Sequence, residues 1–265
     1  MKKAIDGLVL RESAVGESDK LLTVLTAEHG KITLRAKGVR NMKSKNLSLG
    51  RAFVYANFEY YEKNEMCWLS GGSIHRSFFA DGGELEDVAL ASYIVDVAGE
   101  ITGEGVKAET ILRTTLNTLH AIEKKIKPRE LIKGAYELFA ATRSGFSPEI
   151  FSCRECGCES AESFFVDVMN GNIVCPECLE KSSSGKPIAD VDKYSARNIL
   201  ISVSMSALTA ARYVITAKPE RLLAFELKGE IDLADFSRLG ETYLQNHLEK
   251  GFETLAFYKA VSKPL

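Results

Sequence analysis

The sequence contains no run that approaches the roughly 20 apolar residues of a membrane-spanning helix. Its first residues, MKKAIDGLVLR, hold neither the apolar segment nor the small-residue cleavage site of a secretory signal. We therefore expect a soluble cytosolic protein, with no membrane partner, whose cysteine thiols stay reduced.

The sequence also has no nucleotide-binding glycine loop, no HExxH motif and no GxSxG motif. Its four histidines, at positions 29, 75, 120 and 247, share no ligand spacing. Because no phosphate-binding loop or catalytic constellation is visible, we predict that the chain is not an enzyme and has no catalytic residues.

Cysteines are few, but five of the six lie between residues 153 and 178. Cys153-Arg-Glu-Cys156 and Cys175-Pro-Glu-Cys178 are two CxxC pairs, a pattern typical of zinc sites because both sulfurs of a pair can reach one tetrahedral ion. Disulfides conflict with a reducing compartment, and a thioredoxin-like site needs only one pair. We predict one structural zinc ion. Its ligands would be Cys153, Cys156, Cys175 and Cys178, with Cys158 as an alternative to Cys156.

Near the N-terminus, short apolar or alternating segments are separated by turn residues, a pattern that indicates β-strands. These segments are Ile5–Leu10, Leu21–Thr26, Lys31–Ala36, Phe53–Tyr61 and Met66–Leu69. About five strands in roughly 80 residues, with no helix between them, favour a small closed barrel of the OB-fold type. An SH3-like barrel would give much the same pattern.

Charge is distributed unevenly. The first 80 residues carry 13 Lys and Arg against 8 Asp and Glu, a net +5, and the remainder carries 21 against 28, a net −7. The stretch 31–51 holds no acidic residue and seven basic ones: Lys31, Arg35, Lys37, Arg40, Lys43, Lys45 and Arg51. Such unbalanced charge favours an anionic partner, so we predict that these residues bind nucleic acid through a mobile loop. A merely solvated loop is the plainer alternative.

After about residue 81 the apolar period becomes helical. We predict helices at Glu84–Ile101 and Ala108–Ile122, another from Pro128, two or more between about Val191 and Ile215, and one from Ile231 to about Glu249. The predicted architecture is α+β, with an OB-fold at 1–80 and a helical domain at 81–265 that carries a zinc finger at about 150–182.

Several segments, in this order, resemble the RecO family of bacterial recombination mediators. They are GLVLR at 7–11, GESDKLLTVLT at 16–26, GKITLRAKGVR at 30–40, the two CxxC pairs with Gly171 between them, and YLQNHLE at 243–249. The resemblance covers nearly the whole chain.

This resemblance implies binding to single- and double-stranded DNA and annealing of complementary strands. It also implies cooperation with RecR in loading RecA onto DNA coated by single-stranded DNA-binding protein (SSB). The helical domain would accept the acidic tail of SSB in an apolar groove rimmed by cations. Segment 203–221 offers Met205, Leu208 and Val214 for the floor and Arg212, Lys218 and Arg221 for the rim.

Two other classes of function stay open from the residues alone. One is a zinc-containing protein-protein adaptor whose basic loop contacts only acidic protein segments. The other is a zinc-ribbon enzyme. A DNA binder is distinguished from both by the steep salt dependence of its affinity.

Overall fold

The structure is a computed structural model, and it describes residues 2–184 and 199–262. These residues form two compact units. One unites the chain up to Ile126 with the chain from Phe252 onward, and the other spans Lys127–Gly251. Five strands occupy the first part of the chain, and all the α-helices of the described residues follow them, which confirms the α+β class. The change from strands to helices falls near residue 80, whereas the compact units divide the chain after residues 126 and 251.

The described residues form nine β-strands, seven α-helices and a short 3-10 helix at Pro219–Arg221. The strands are β1 (Lys2–Val15), β2 (Asp19–Thr26), β3 (Gly30–Ala36), β4 (Val54–Lys63), β5 (Met66–Ser77), β6 (Glu149–Cys153), β7 (Ser163–Asp167), β8 (Asn172–Val174) and β9 (Leu200–Ser204). The α-helices are α1 (Leu85–Glu100), α2 (Glu109–Glu123), α3 (Arg129–Arg143), α4 (Pro176–Ser184), α5 (Met205–Thr216), α6 (Glu230–Leu248) and α7 (Glu253–Val261).

The first unit is built on one sheet whose strands pair in the order β1-β2-β3-β5-β4. Because β4 also pairs with β1, from Lys2 opposite Tyr61 to Leu8 opposite Tyr55, the sheet closes on itself. Its pairs are antiparallel except for β3 and β5, which run parallel. All five predicted strands are therefore present, and β1 and β5 are longer than predicted.

Alternating side chains fill the inside of this sheet. Leu22 and Val24 of β2, and Phe58 of β4, are fully buried there. The connection between β3 and β4 contributes two more core residues, Val39 and Leu49. Since truncating a buried aliphatic side chain costs about 2–5 kcal/mol, these two residues tie the connection firmly to the sheet.

Helices α1, α2 and α7 complete the first unit, and α7 was not predicted. Helix α7 packs against α1. The rings of Tyr93 and Phe252 meet edge-on with centroids 5.5 Å apart, and the Thr254 hydroxyl donates to Asp96 Oδ2 over 2.8 Å. Among the described helices, none combines the length and apolar character that crossing a membrane requires.

The second unit packs α3, α5 and α6 beside a four-stranded sheet of order β6-β8-β7-β9. Helices α3 and α6 approach closely at two glycines, where a Cβ on Gly240 would lie 2.8 Å from the carbonyl oxygen of Gly134. Beside this crossing, the buried Lys133 ammonium lies 3.1 Å from Glu137 and 2.9 Å from Glu241. The helix pair thus encloses an ion network in an otherwise apolar core.

The prediction of two or more helices between about Val191 and Ile215 is wrong at residues 200–204. Leu200–Ser204 form β9, which pairs antiparallel with β7, and α5 begins only at Met205. Ser204 caps that helix, since its Oγ accepts from the amide of Ala207 over 3.1 Å. The part of this prediction that covers residues 191–198 lies outside the described residues.

Candidate metal centre and nucleic-acid interface

The two cysteine pairs come together at one end of the second unit's sheet. Cys153 is the last residue of β6, Cys175 follows β8, and Cys178 lies in the first turn of α4. The sulfurs of Cys153, Cys156, Cys175 and Cys178 all lie within 4.8 Å of one another. The four cysteines that the CxxC spacing predicts therefore form one cluster.

The dimensions of the cluster suit a single tetrahedral ion. Metal–sulfur bonds of about 2.3 Å at tetrahedral angles place sulfurs about 3.8 Å apart. The sulfurs of Cys156 and Cys175 are 3.8 Å apart. The Cys175 amide also donates to Cys153 Sγ over 3.4 Å, as expected where backbone donors stabilise thiolates.

Cys158 lies outside this cluster. Its thiol donates to the carbonyl oxygen of Ser160 over 3.0 Å, and its own carbonyl oxygen accepts from the Cys153 amide over 2.7 Å. The fifth cysteine thus closes the turn that carries the first pair, and Cys156 is the residue whose sulfur joins the other three.

Close sulfurs perturb one another's protonation. Burial raises the pKa of the Cys153 thiol, but amide donors, that of Cys175 foremost, outweigh it and lower this pKa to about 6. The neighbouring thiols of Cys156 and Cys175 raise the pKa of Cys178. Thiolates this close cannot all be charged without a cation, so the cluster as a whole favours a bound metal.

The seven basic residues predicted to bind nucleic acid divide into two groups. Lys31 and Arg35, on β3, are partly buried and already engaged: Lys31 Nζ donates to the Gly99 carbonyl oxygen over 2.6 Å, and Arg35 Nη2 pairs with Asp19 over 3.0 Å. The other five are exposed and lie on the connection 37–53 between β3 and β4, which we call the basic loop: Lys37, Arg40, Lys43, Lys45 and Arg51.

The basic loop is a folded series of turns rather than an unstructured arm. Backbone amides of Asn41, Ser44 and Leu47 donate to carbonyl oxygens three residues earlier, over 2.8–3.2 Å. Val39 and Leu49 anchor the two ends in the core. The burial of both ends is a feature that local turn residues do not reveal, and the mobility of the loop stays a prediction.

Four basic side chains of the loop have no polar partner within the described residues. Lys37, Lys43, Lys45 and Arg51 make no side-chain hydrogen bond or ion pair there, whereas Arg40 Nη1 donates to the Gly16 carbonyl oxygen over 3.1 Å. Unpaired cations held on an ordered surface can bind phosphates at a smaller entropic cost than cations on a flexible arm.

The predicted SSB groove does not have the predicted floor. Leu208 and Val214 are buried in the core of the second unit, so they are not accessible to a peptide. Arg212 is occupied as well, because its guanidinium donates to the carbonyl oxygens of Ile150, Phe151 and Glu159 over 2.7, 2.8 and 3.1 Å. Arg212 therefore joins α5 to the chain on both sides of the turn that carries Cys153 and Cys156, and it does not lie at the edge of a groove.

A different cleft, of about 430 Å³, lies beside α5. Its lining consists of Met205, Ser206, Thr209, Ala210, Tyr213, Phe225, Glu226 and Leu227. Met205 is thus the one predicted floor residue that lines an open cleft. Two predicted rim residues, Lys218 and Arg221, are exposed, and the Tyr213 hydroxyl donates to the Arg221 carbonyl oxygen over 2.8 Å.

Residues outside the basic stretch, which no sequence pattern marks, hold the basic loop in place. Asp19 and Ser18 accept hydrogen bonds from the backbone amides of Gly38 and Arg40, over 2.9 and 3.0 Å. They lie at the turn between β1 and β2, far outside the basic stretch. An acidic residue next to a turn is too common a signal to have identified them.

Comparison with known proteins gives consistent matches along nearly the whole chain. The family model described as "Recombination protein O N terminal" matches residues 1–78, and "Recombination protein O C terminal" matches residues 83–256. The curated protein "DNA repair protein RecO" of Acetivibrio thermocellus is 24% identical over 97% of this chain and 96% of its own length. Its namesake in Caldicellulosiruptor saccharolyticus is 26% identical over 96% of this chain and 97% of its own length.

Proposed function

The chain belongs to the RecO family of DNA repair proteins, and from this premise we propose that it is a DNA-binding recombination mediator. It binds single- and double-stranded DNA, anneals complementary strands, and helps RecR to load RecA onto SSB-coated DNA. The observation that carries the proposal is the basic loop. Its four exposed cations without partners among the described residues lie on a connection that is folded into turns and anchored in the core.

We infer that the closed sheet of the first unit is an OB-fold. An OB-fold is a five-stranded Greek-key barrel that commonly binds oligonucleotides. The strand order β1-β2-β3-β5-β4, the return of β4 to β1 and the parallel pairing of β3 with β5 support this assignment. Phosphates would bind the basic loop and leave base identity unread, as strand annealing requires.

We further propose that the cysteine cluster holds one zinc ion. Four thiolates fill a tetrahedral shell and leave no open position for water, so the ion would stabilise the fold and take no part in chemistry. Cys153, Cys156, Cys175 and Cys178 would be its ligands, which ties β6, β8 and α4 together. Consistently, we propose no bond-making step for this protein.

For the SSB tail we propose the cleft beside α5. Met205, Tyr213 and Phe225 give it an apolar lining for a terminal aromatic side chain. Lys218 and Arg221, exposed on the segment that follows α5, could pair with the acidic residues of the tail.

With DNA, RecR and SSB as partners, and RecA as an indirect one, the protein would work in the cytoplasm at the nucleoid.

A strand-annealing assay tests this proposal. Complementary strands are coated with SSB and mixed with the protein, and RecR-dependent RecA assembly is followed on the same DNA. We expect annealing with intact SSB, slower annealing with SSB that lacks its terminal residues, and RecA assembly only when RecR is present. A protein that binds SSB but neither DNA nor RecR would instead be an adaptor, and the proposal would be wrong.

A further inference from the structure

The turn between β1 and β2 is joined to the basic loop by a set of polar contacts. The amide of Arg40 donates to the Ser18 carbonyl oxygen over 3.0 Å, and Arg40 Nη1 donates to the Gly16 carbonyl oxygen over 3.1 Å. Lys20 Nζ, near the start of β2, donates to the Gly50 carbonyl oxygen over 2.9 Å. The turn and both ends of the loop therefore form one surface.

Asp19 has the central place in this surface. Its Oδ1 accepts from the amide of Gly38 over 2.9 Å, and its Oδ2 accepts from Arg35 Nε and Nη2 over 3.2 and 3.0 Å. Gly38 has a φ of +65°, a conformation that favours glycine at the turn where its amide donates to Asp19. The Arg35 guanidinium in turn lies 5.0 Å from the ring centroid of Trp68.

A carboxylate within a phosphate-binding surface is electrostatically unfavourable, because it repels the ligand. The Gly38 amide, and then Arg35, nevertheless lower the pKa of the Asp19 carboxyl, which favours its charged form. Only 13% of its side chain is exposed, so its charge is directed toward Gly38 and Arg35 rather than toward solvent. Its contribution must then come from what it holds in place.

We propose that Asp19 is the positioning residue of the DNA interface: it fixes the first turn of the basic loop and the Arg35 guanidinium so that Lys37 and the cations after it face one strand of phosphates. This inference rests on the proposed function. It adds to that function a requirement for a negatively charged residue at a site that would bind a polyanion.

The substitution Asp19→Asn separates positioning from charge, because the two predict effects of opposite sign. Loss of a negative charge alone should strengthen DNA binding. Loss of the anchor should weaken it: an asparagine can still accept from Gly38, but its NH2 group faces the donors of Arg35. Glu17→Gln is the matched control, since Glu17 is exposed two residues away and its side chain makes no hydrogen bond or ion pair within the described residues.

The test measures binding of a labelled oligonucleotide to the full chain over a range of salt concentrations. We expect Asp19→Asn to bind at least about fivefold more weakly, as for the loss of a charge-assisted hydrogen bond, with a flatter salt slope. Glu17→Gln should bind equally or slightly more tightly, by no more than about fivefold. If Asp19→Asn instead binds as tightly as Glu17→Gln, Asp19 is only a repulsive charge and the inference is overturned.

Two further measurements distinguish this failure from failure of the proposed function. Hydrogen exchange at the amides of Gly38 and Arg40 should accelerate in Asp19→Asn, and emission from Trp68, the only tryptophan, should shift as Arg35 moves. A loosened loop with unchanged DNA affinity refutes positioning but leaves DNA binding intact. A wild-type protein that does not bind the oligonucleotide refutes both.

Discussion

Replacing Cys175 by serine should remove the metal and destabilise the second unit. Cys175 is buried, and its sulfur lies 3.8 Å from that of Cys156. The other three sulfurs lie within 4.8 Å of one another, and at an effective dielectric constant of about 20 two thiolates at that distance repel each other by about 3.5 kcal/mol. A serine hydroxyl does not replace a thiolate ligand, so the remaining sulfurs must either take up protons or separate.

The loss should amount to at least about 3 kcal/mol, a large part of the 5–15 kcal/mol that stabilises an ordinary domain. For a unit the size of Lys127–Gly251, each kcal/mol corresponds to a Tm shift of roughly 3–5 °C, so the transition of this unit should fall by about 10 °C or more. Scanning calorimetry and metal analysis by mass spectrometry measure the two effects in the same preparation.

Cys158→Ser is the matched control for this experiment. The serine hydroxyl at this position can still donate to the Ser160 carbonyl oxygen, as the Cys158 thiol does, and Cys158 is not one of the four clustered cysteines. This variant should keep about one equivalent of zinc and a nearly unchanged Tm. Equal metal content in wild type and Cys175→Ser, or metal loss in Cys158→Ser instead, would refute the assigned ligand set.

The remaining predictions concern the core of the second unit. Lys133→Met should lower the free energy of unfolding by about 3 kcal/mol, because the buried cation beside Glu137 and Glu241 is lost. Burial lowers the pKa of Lys133, but the two carboxylates outweigh this effect and raise the pKa above 10.5. Urea unfolding should therefore show the full difference in unfolding free energy between wild type and variant below that pH, and a smaller difference as the pH rises further. Arg212→Lys should cost about 2 kcal/mol in urea unfolding, since one ammonium cannot reach three carbonyl oxygens, yet leave DNA affinity unchanged.

Local patterns in the sequence predicted much of the fold. Alternation of polar and apolar residues located the strands of the first unit, as in β3, because one of its faces is buried in the sheet. The spacing within and between the CxxC pairs predicted a cluster of four cysteines, since that geometry depends on short chain segments, but only the sulfur positions decide between Cys156 and Cys158. The absence of acidic residues from 31–51 likewise located the segment that forms the basic loop.

Features that depend on distant partners could not be predicted in this way. The segment Leu200–Ser204 is five residues long and directly precedes a helix, so only its pairing with β7 identifies it as a strand. Leu208 and Val214 are apolar in either case, and only the packing around α5 reveals that they are covered. The contact between Asp19 and Gly38 joins residues 19 positions apart and leaves no periodic signal.

The central claim, that the basic loop binds DNA through phosphate contacts, is tested most directly by the salt dependence of single-stranded DNA binding. Lys43→Glu/Lys45→Glu is compared with Lys107→Glu/Lys228→Glu, which changes the same charge at exposed lysines outside the loop. For single strands the log-log slope changes by about 0.7 per phosphate contact, so the loop variant should be flatter than wild type by about 1.4 and the control unchanged. Equal slopes for wild type and both variants would contradict the account.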